Sequence, residues 1–201
     1  MIFIRYEDWR SYLKYYPVTT LLIIANIIMF LVLSFNGGST NTMTLIRFGA
    51  LLNEGEGWRY ISSMFLHHGF EHLLFNCFAL LVFAPPLERL LGWWRYVILY
   101  VLSGIIGNVL TVAYYNRVGE LLLSVGASGA IYGVYGAFLY IAIFQRRIID
   151  DSSRKTLYAM LIFGIVFSFI SPNVNWLGHF GGLIGGFFVY GLLIRLTRKR
   201  R

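Results

Sequence analysis

The chain has 201 residues, of which 58% are hydrophobic, 18% aromatic and only 13% charged, with a mean hydropathy of +0.67. Soluble domains carry about 25% charged residues, so a water-soluble globule and a disordered chain are both excluded. The 17 Lys and Arg against 9 Asp and Glu leave a net charge of +8, which marks either a surface for nucleic acid or the orientation of a membrane protein.

A helix of about 20 apolar residues crosses a hydrocarbon core of about 30 Å. Six stretches meet that condition. In chain order they cover 18–35, then 72–91 with an interruption near its end at Pro85-Pro86, then 96–115, 128–144, 156–170 and 176–196. The fifth is the shortest, and Asp150-Asp151 before it and Pro172 after it serve as boundaries. Residues 1–17 form a cytoplasmic segment whose Tyr6, Trp9, Tyr12, Tyr15 and Tyr16 suit a membrane interface. Residues 18–196 form one membrane domain and 197–201 a basic cytoplasmic tail. The first stretch follows Glu7 and Asp8 and precedes no small-x-small site, so it reads as a retained helix rather than a cleaved signal.

Six crossings sort the basic residues by side. Arg5, Arg10, Lys14, Arg89, Arg95, Arg146, Arg147, Arg154, Lys155, Arg195, Arg198, Lys199, Arg200 and Arg201 fall together, while Arg47, Arg59 and Arg117 face the other way. Basic residues concentrate on the cytoplasmic side, which puts both termini there and removes nucleic acid as a partner. The single cysteine, Cys77, excludes an internal disulfide and a multi-cysteine metal site. P-loop, Rossmann and zincin patterns are absent, as is any repeat of about 20 to 50 residues.

Polar groups within a bilayer are costly and mark helix contacts or functional sites. All four histidines lie in or beside the membrane, with His67, His68 and His72 around the start of the second crossing and His179 early in the sixth. Asn76 follows His72 by one turn on the same face. Ser128 lies in Gly126-Ala127-Ser128-Gly129 at the start of the fourth. Counting at 1.5 Å per residue to Arg146, Arg195 and Arg89 puts Ser128, His179 and His72 about 27, 24 and 26 Å above the cytoplasmic boundary. Three helices thus present polar groups at one level near the outer face. The spacings Gly129/Gly133, Gly178/Gly182, Gly181/Gly185 and Gly182/Gly186 allow the fourth and sixth helices to pack closely, which brings Ser128 within reach of His179.

A serine becomes an effective nucleophile when a neutral imidazole takes its proton. No acidic residue lies in a helix interior near His179, so the pair is a dyad without a carboxylate. His72, Asn76 and the backbone N–H of Ser128 are candidate donors to a developing oxyanion. His67 is positioned to hold water or fix the long first loop.

These residues resemble the rhomboid intramembrane serine proteases, in their basic six-helix prokaryotic form. The matching elements are Glu56-Gly57-Trp58-Arg59, His67, His72-Leu-Leu-Phe-Asn76, Glu88 with Gly92, Gly126-Ala127-Ser128-Gly129, Tyr132, and His179 with Gly182 and Gly186. The resemblance implies an all-α membrane bundle of six transmembrane helices and a serine endopeptidase acting on transmembrane substrates in the bilayer. It assigns Ser128 as nucleophile, His179 as base, His72 and Asn76 as the oxyanion hole, Tyr132 as the ring stacked beside the histidine, and Trp58-Arg59 as a brace of the first loop. Ala127 stands where inactive relatives carry proline. No cofactor or metal is implied, and the compact form implies a bacterial plasma membrane.

Other readings exist for the same residues. Ser128 in a glycine-rich helix can be a packing residue, and the histidines can be helix bridges or ligands of zinc or haem. Asn108 reads as packing glue. A small transporter is disfavoured because no carboxylate lies within a crossing and no inverted repeat is visible. The remaining alternative is a catalytically inactive rhomboid-like protein that binds membrane clients.

Overall fold

The computed structural model describes residues 2–4, 6–54, 56–171 and 174–198. Asp8 accepts the Ser11 backbone N–H and so starts α1 (Trp9–Tyr15). Pro17 opens α2 (Pro17–Phe35), at the position where a helix has no use for its missing N–H. A long connection holds α3 (Thr42–Arg47), capped by the Asn41 side chain, then α4 (Arg59–Ser62) and a 3-10 turn (Ser63–Phe65). Next come α5 (Phe70–Leu91) and α6 (Trp93–Val118), joined by Gly92 alone, and then α7 (Ser128–Phe144). The last two are α8 (Asp151–Ile170) and α9 (Trp176–Arg198).

Helices α2, α5, α6, α8 and α9 are each long and apolar enough to cross a membrane, and α7 is a shorter apolar helix. The chain is therefore a multi-pass membrane protein whose described residues form a helical bundle. The six expected stretches all appear, with three differences. Helix α5 continues through Pro85 and Pro86 to Leu91. The carbonyl of Leu81, which Pro85 leaves without its helical donor, accepts instead from the Tyr12 hydroxyl at 3.2 Å. Helix α8 begins at Asp151, before the apolar run, because the Asp150 carboxylate accepts the Ser153 N–H. Part of the N-terminal segment enters the bundle, for Phe3 packs edge-on to Phe83 and Phe138 at 5.0 and 5.2 Å. Tyr16, expected at the interface, is fully buried with its hydroxyl donating to Glu7 at 2.6 Å, whereas Tyr6, Trp9 and Tyr15 are exposed. The expected boundary at Pro172 and the basic residues Arg5, Lys199, Arg200 and Arg201 lie outside the described residues.

Helix α7 is the centre of the bundle, and every residue from Ala130 to Phe138 is buried. Its lack of a polar face follows from that position. At 17 residues it is about 26 Å long, short of a hydrocarbon core of about 30 Å. A helix this short cannot reach both surfaces of such a core. Helices α7 and α9 meet backbone to backbone, since a Cβ at Gly182 or Gly186 would collide with the main chain of Gly129 or Gly133. Side chains larger than glycine would hold those helices apart.

Candidate active site

Ser128 is the first residue of α7, so its backbone N–H has no carbonyl partner within the helix. The loop leading to it is pinned from both sides. Leu51 and Ser124 exchange backbone hydrogen bonds of 2.9 and 3.0 Å, and the Gly126 N–H donates to the Ser63 carbonyl at 2.9 Å. Gly126 has φ of +127°, and a Cβ there would lie 2.7 Å from His72 Nε2 and 3.7 Å from Ser128 Oγ. A glycine is required for the chain to pass between the imidazole and the serine.

Asn175 positions the start of α9. Its Oδ1 accepts the Gly178 N–H at 2.9 Å and the Thr111 hydroxyl at 3.1 Å, while its Nδ2 donates to Ser124 Oγ at 2.9 Å. One turn further on, His179 Nε2 lies 2.7 Å from Ser128 Oγ. The Tyr132 ring stacks on the imidazole at 4.2 Å with only 9° between the planes. On the other ring edge, His179 Nδ1 lies 2.7 Å from Ser168 Oγ of α8. Ser128 and His179 are half-buried, and His179 lines a small cleft with Tyr132, Ser168, Phe169, Trp176 and Phe180.

The remaining predicted residues divide between this site and its supports. His72 faces it past Gly126. Asn76 is buried one turn away on α5, and its Nδ2 donates to the His72 carbonyl at 3.0 Å, which leaves the second amide hydrogen for another acceptor. His67 is fully buried, edge-on to His72 with ring centroids 5.1 Å apart. Burial, with His72 alongside, pushes its imidazole down to about 3. His68 is exposed.

Arg59 secures the first loop by donating from Nη1 to the carbonyls of Ile46 and Ala50 at 2.7 and 3.2 Å and from Nε to Glu56 at 2.6 Å. Its guanidinium sits 4.8 Å from the Trp58 ring centroid. Glu88 lies near the opposite end of α5. It is buried and caps α2, accepting from the N–H groups of Val18 and Thr19 at 2.8 Å each and from the Thr19 hydroxyl at 2.7 Å. Asn108 ties α6 to the loop, donating to the Tyr60 carbonyl at 2.8 Å and Ser63 Oγ at 3.1 Å.

Sequence reasoning passed over Ser168 and Asn175. The only available signal for Ser168 was its i+4 spacing from Gly164 on an apolar helix, which reads as a packing pair. Asn175 immediately precedes an apolar run and was legible as a cap.

Comparison with known proteins shows the family of the chain. Residues 54–196 match the family model of the rhomboid domain. The chain belongs to the rhomboid family. It is 37% identical over 205 residues to YdcA of Bacillus subtilis, whose name assigns it to the rhomboid proteases, covering 99% of this chain and all of that protein. It is 40% identical over 182 residues to the rhomboid protease GluP of the same organism, covering 88% of this chain and 35% of that one. It is also 38% identical over 159 residues to RHOMBOID-like protein 5 of Arabidopsis thaliana, covering 76% of this chain and 50% of the relative.

Proposed function

We propose that the protein is an intramembrane serine endopeptidase that cleaves transmembrane segments of membrane proteins through an acyl-enzyme on Ser128. The observation that carries this reading is the 2.7 Å hydrogen bond between Ser128 Oγ and His179 Nε2. In the first half-reaction Ser128 Oγ attacks the scissile carbonyl and its proton passes to His179 Nε2. The imidazolium then protonates the leaving amine. Water, deprotonated by the same nitrogen, releases the acyl group.

The tetrahedral intermediate needs donors on the side of Ser128 away from His179. The Ser128 backbone N–H, His72 and the free Asn76 amide hydrogen are assigned that role. Tyr132 holds the imidazole plane by stacking, Gly126 keeps the passage to His72 open, and Trp58 and Arg59 hold the loop that covers the site. His67, buried and uncharged near neutral pH, holds that loop against His72.

A substrate helix hides its carbonyls in its own hydrogen bonds and must unwind locally, so segments with small and helix-breaking residues are the expected substrates. The distribution of basic residues supports cytoplasmic termini, with residues 18–196 as the membrane domain, and we assign the protein to a bacterial plasma membrane. The Ser128 to His179 hydrogen bond favours this reading over that of a client-binding protein without chemistry.

The test is cleavage of a model single-pass substrate by purified protein in liposomes, beside Ser128→Ala and His179→Ala. Both variants should lose cleavage and fluorophosphonate labelling. Cleavage by Ser128→Ala at the wild-type rate would refute the mechanism.

A further inference from the structure

The imidazole of a serine hydrolase has two nitrogens with opposite duties. Nε2 must be unprotonated to accept the serine proton, so in the neutral ring the hydrogen must sit on Nδ1. A buried carboxylate is the usual way to hold it there, and among the described residues none is present beside His179. The surroundings of Ser168 supply the missing constraint.

Ser168 Oγ has three polar neighbours and a single hydrogen. The Gly164 carbonyl, at 2.6 Å, can only accept, so the Ser168 hydroxyl donates to it. Both oxygen lone pairs are then left for donors. One faces His179 Nδ1 at 2.7 Å and the other the Tyr132 hydroxyl at 3.1 Å. Every hydrogen in the cluster is thereby assigned. Nδ1–H and the Tyr132 O–H both donate to Ser168, and Nε2 is free to accept from Ser128. The cluster is shaped for this purpose, since Ser168 is buried and a Cβ on Gly164 would lie 2.5 Å from the Tyr132 hydroxyl oxygen.

Building on the Ser128 and His179 reading, we infer that Ser168 is a positioning residue that sets the tautomer and ring orientation of the catalytic histidine from α8. Its neutral oxygen does the orienting work of the absent carboxylate without placing an anion in the membrane. It also makes the competence of the dyad depend on α8 being docked. That helix presents Ile162, Phe163, Val166, Phe167 and Ile170 outward. Among the described residues, its side-chain hydrogen bonds to other elements are those of Ser168 to Tyr132 and His179 and the bond from the Ile2 N–H to Ser153 Oγ at 2.8 Å.

The experiment compares wild type, Ser168→Ala and Ser168→Thr, with Ser128→Ala as the reference for the dyad itself. Steady-state cleavage of a model transmembrane substrate in liposomes gives kcat and KM. Nitrogen-15 spectra of histidine-labelled protein, with His179→Ala identifying the resonance, report the protonation of Nδ1. Ser168→Ala should lower kcat by about 10- to 100-fold with KM unchanged, by analogy with the partners that orient metal-bound histidines, and should mix the His179 tautomers. Ser168→Thr, which keeps the oxygen, should recover most of the rate and the Nδ1–H signal.

If Ser168→Ala fails to fold, the equal-shaped pair Ser168→Thr and Ser168→Val isolates the hydroxyl, and the same difference in kcat is expected between them. Wild-type kcat and an unchanged Nδ1–H signal in Ser168→Ala, or equal rates for the Thr and Val variants, would overturn the inference. If Ser128→Ala is inactive in the same experiment, that result removes Ser168 and leaves the dyad standing. Cleavage by Ser128→Ala would instead remove the dyad.

Discussion

Replacing Gly182 by alanine tests whether backbone apposition of α7 and α9 sets the Ser128 to His179 distance. A Cβ at this position would lie 2.8 Å from the carbonyl carbon and 3.2 Å from the Cα of Gly129, with the Gly129 carbonyl oxygen nearer still. All three are main-chain atoms of the residue after Ser128, so no rotamer change relieves the contact. Ordinary contacts begin at 3.4 Å, and the two helices must separate by at least about 1 Å, a displacement that costs about 100-fold in rate when it falls between reacting groups. Overpacking also destabilises by about 1–3 kcal/mol. The assay is kcat/KM on a transmembrane substrate in liposomes, with thermal unfolding measured in parallel. Gly57→Ala is the control, because nothing lies within 4 Å of the added methyl. Wild-type cleavage by Gly182→Ala, in protein that folds normally, would refute the claim that this contact positions the dyad.

Three further outcomes are expected. Gly126→Ala combines a positive φ with a contact on His72 Nε2, so fluorophosphonate labelling of Ser128 should fall more than thermal stability does. Glu88→Ala leaves the Val18 and Thr19 N–H groups without their charged acceptor and should destabilise by about 2–4 kcal/mol, read as a lower thermal midpoint with kcat retained well below it. Hydrogen bonds from Ser153 hold the exposed Asp150 carboxylate at about 2 against an ordinary 3.8. Because the folded value is depressed, its stabilising contribution is present above about pH 4 and is lost as pH falls towards 2. The difference in thermal midpoint between wild type and Asp150→Asn should shrink over that interval, and a constant difference would count against the cap.

Much of the site was legible because its chemistry needs uncommon residues in a membrane. Ser128 and His179 stood out against apolar helices, and the glycine spacing indicated which helices could carry them together. The supports were less visible. A serine in an apolar helix satisfies itself by bonding back to its own carbonyl four residues earlier, as Ser34 and Ser103 do here, so nothing local separates Ser168 from such residues. Phe3 was unremarkable in an aromatic N-terminal segment, and only the space between Phe83 and Phe138 gives it a place in the core. The prolines of α5 argued for an interruption, which the Tyr12 hydroxyl helps to offset from a distant part of the chain.

Composition and hydropathy determine that this chain is a multi-pass bundle of apolar helices in which the few polar side chains stand out, because the cost of dehydrating a side chain depends on residue type. Tertiary structure decides which nitrogen of His179 carries the hydrogen and which helix holds it. Hydrogen bonds depend on distances of a few tenths of an ångström between segments, and those distances exist only once α7, α8 and α9 have packed.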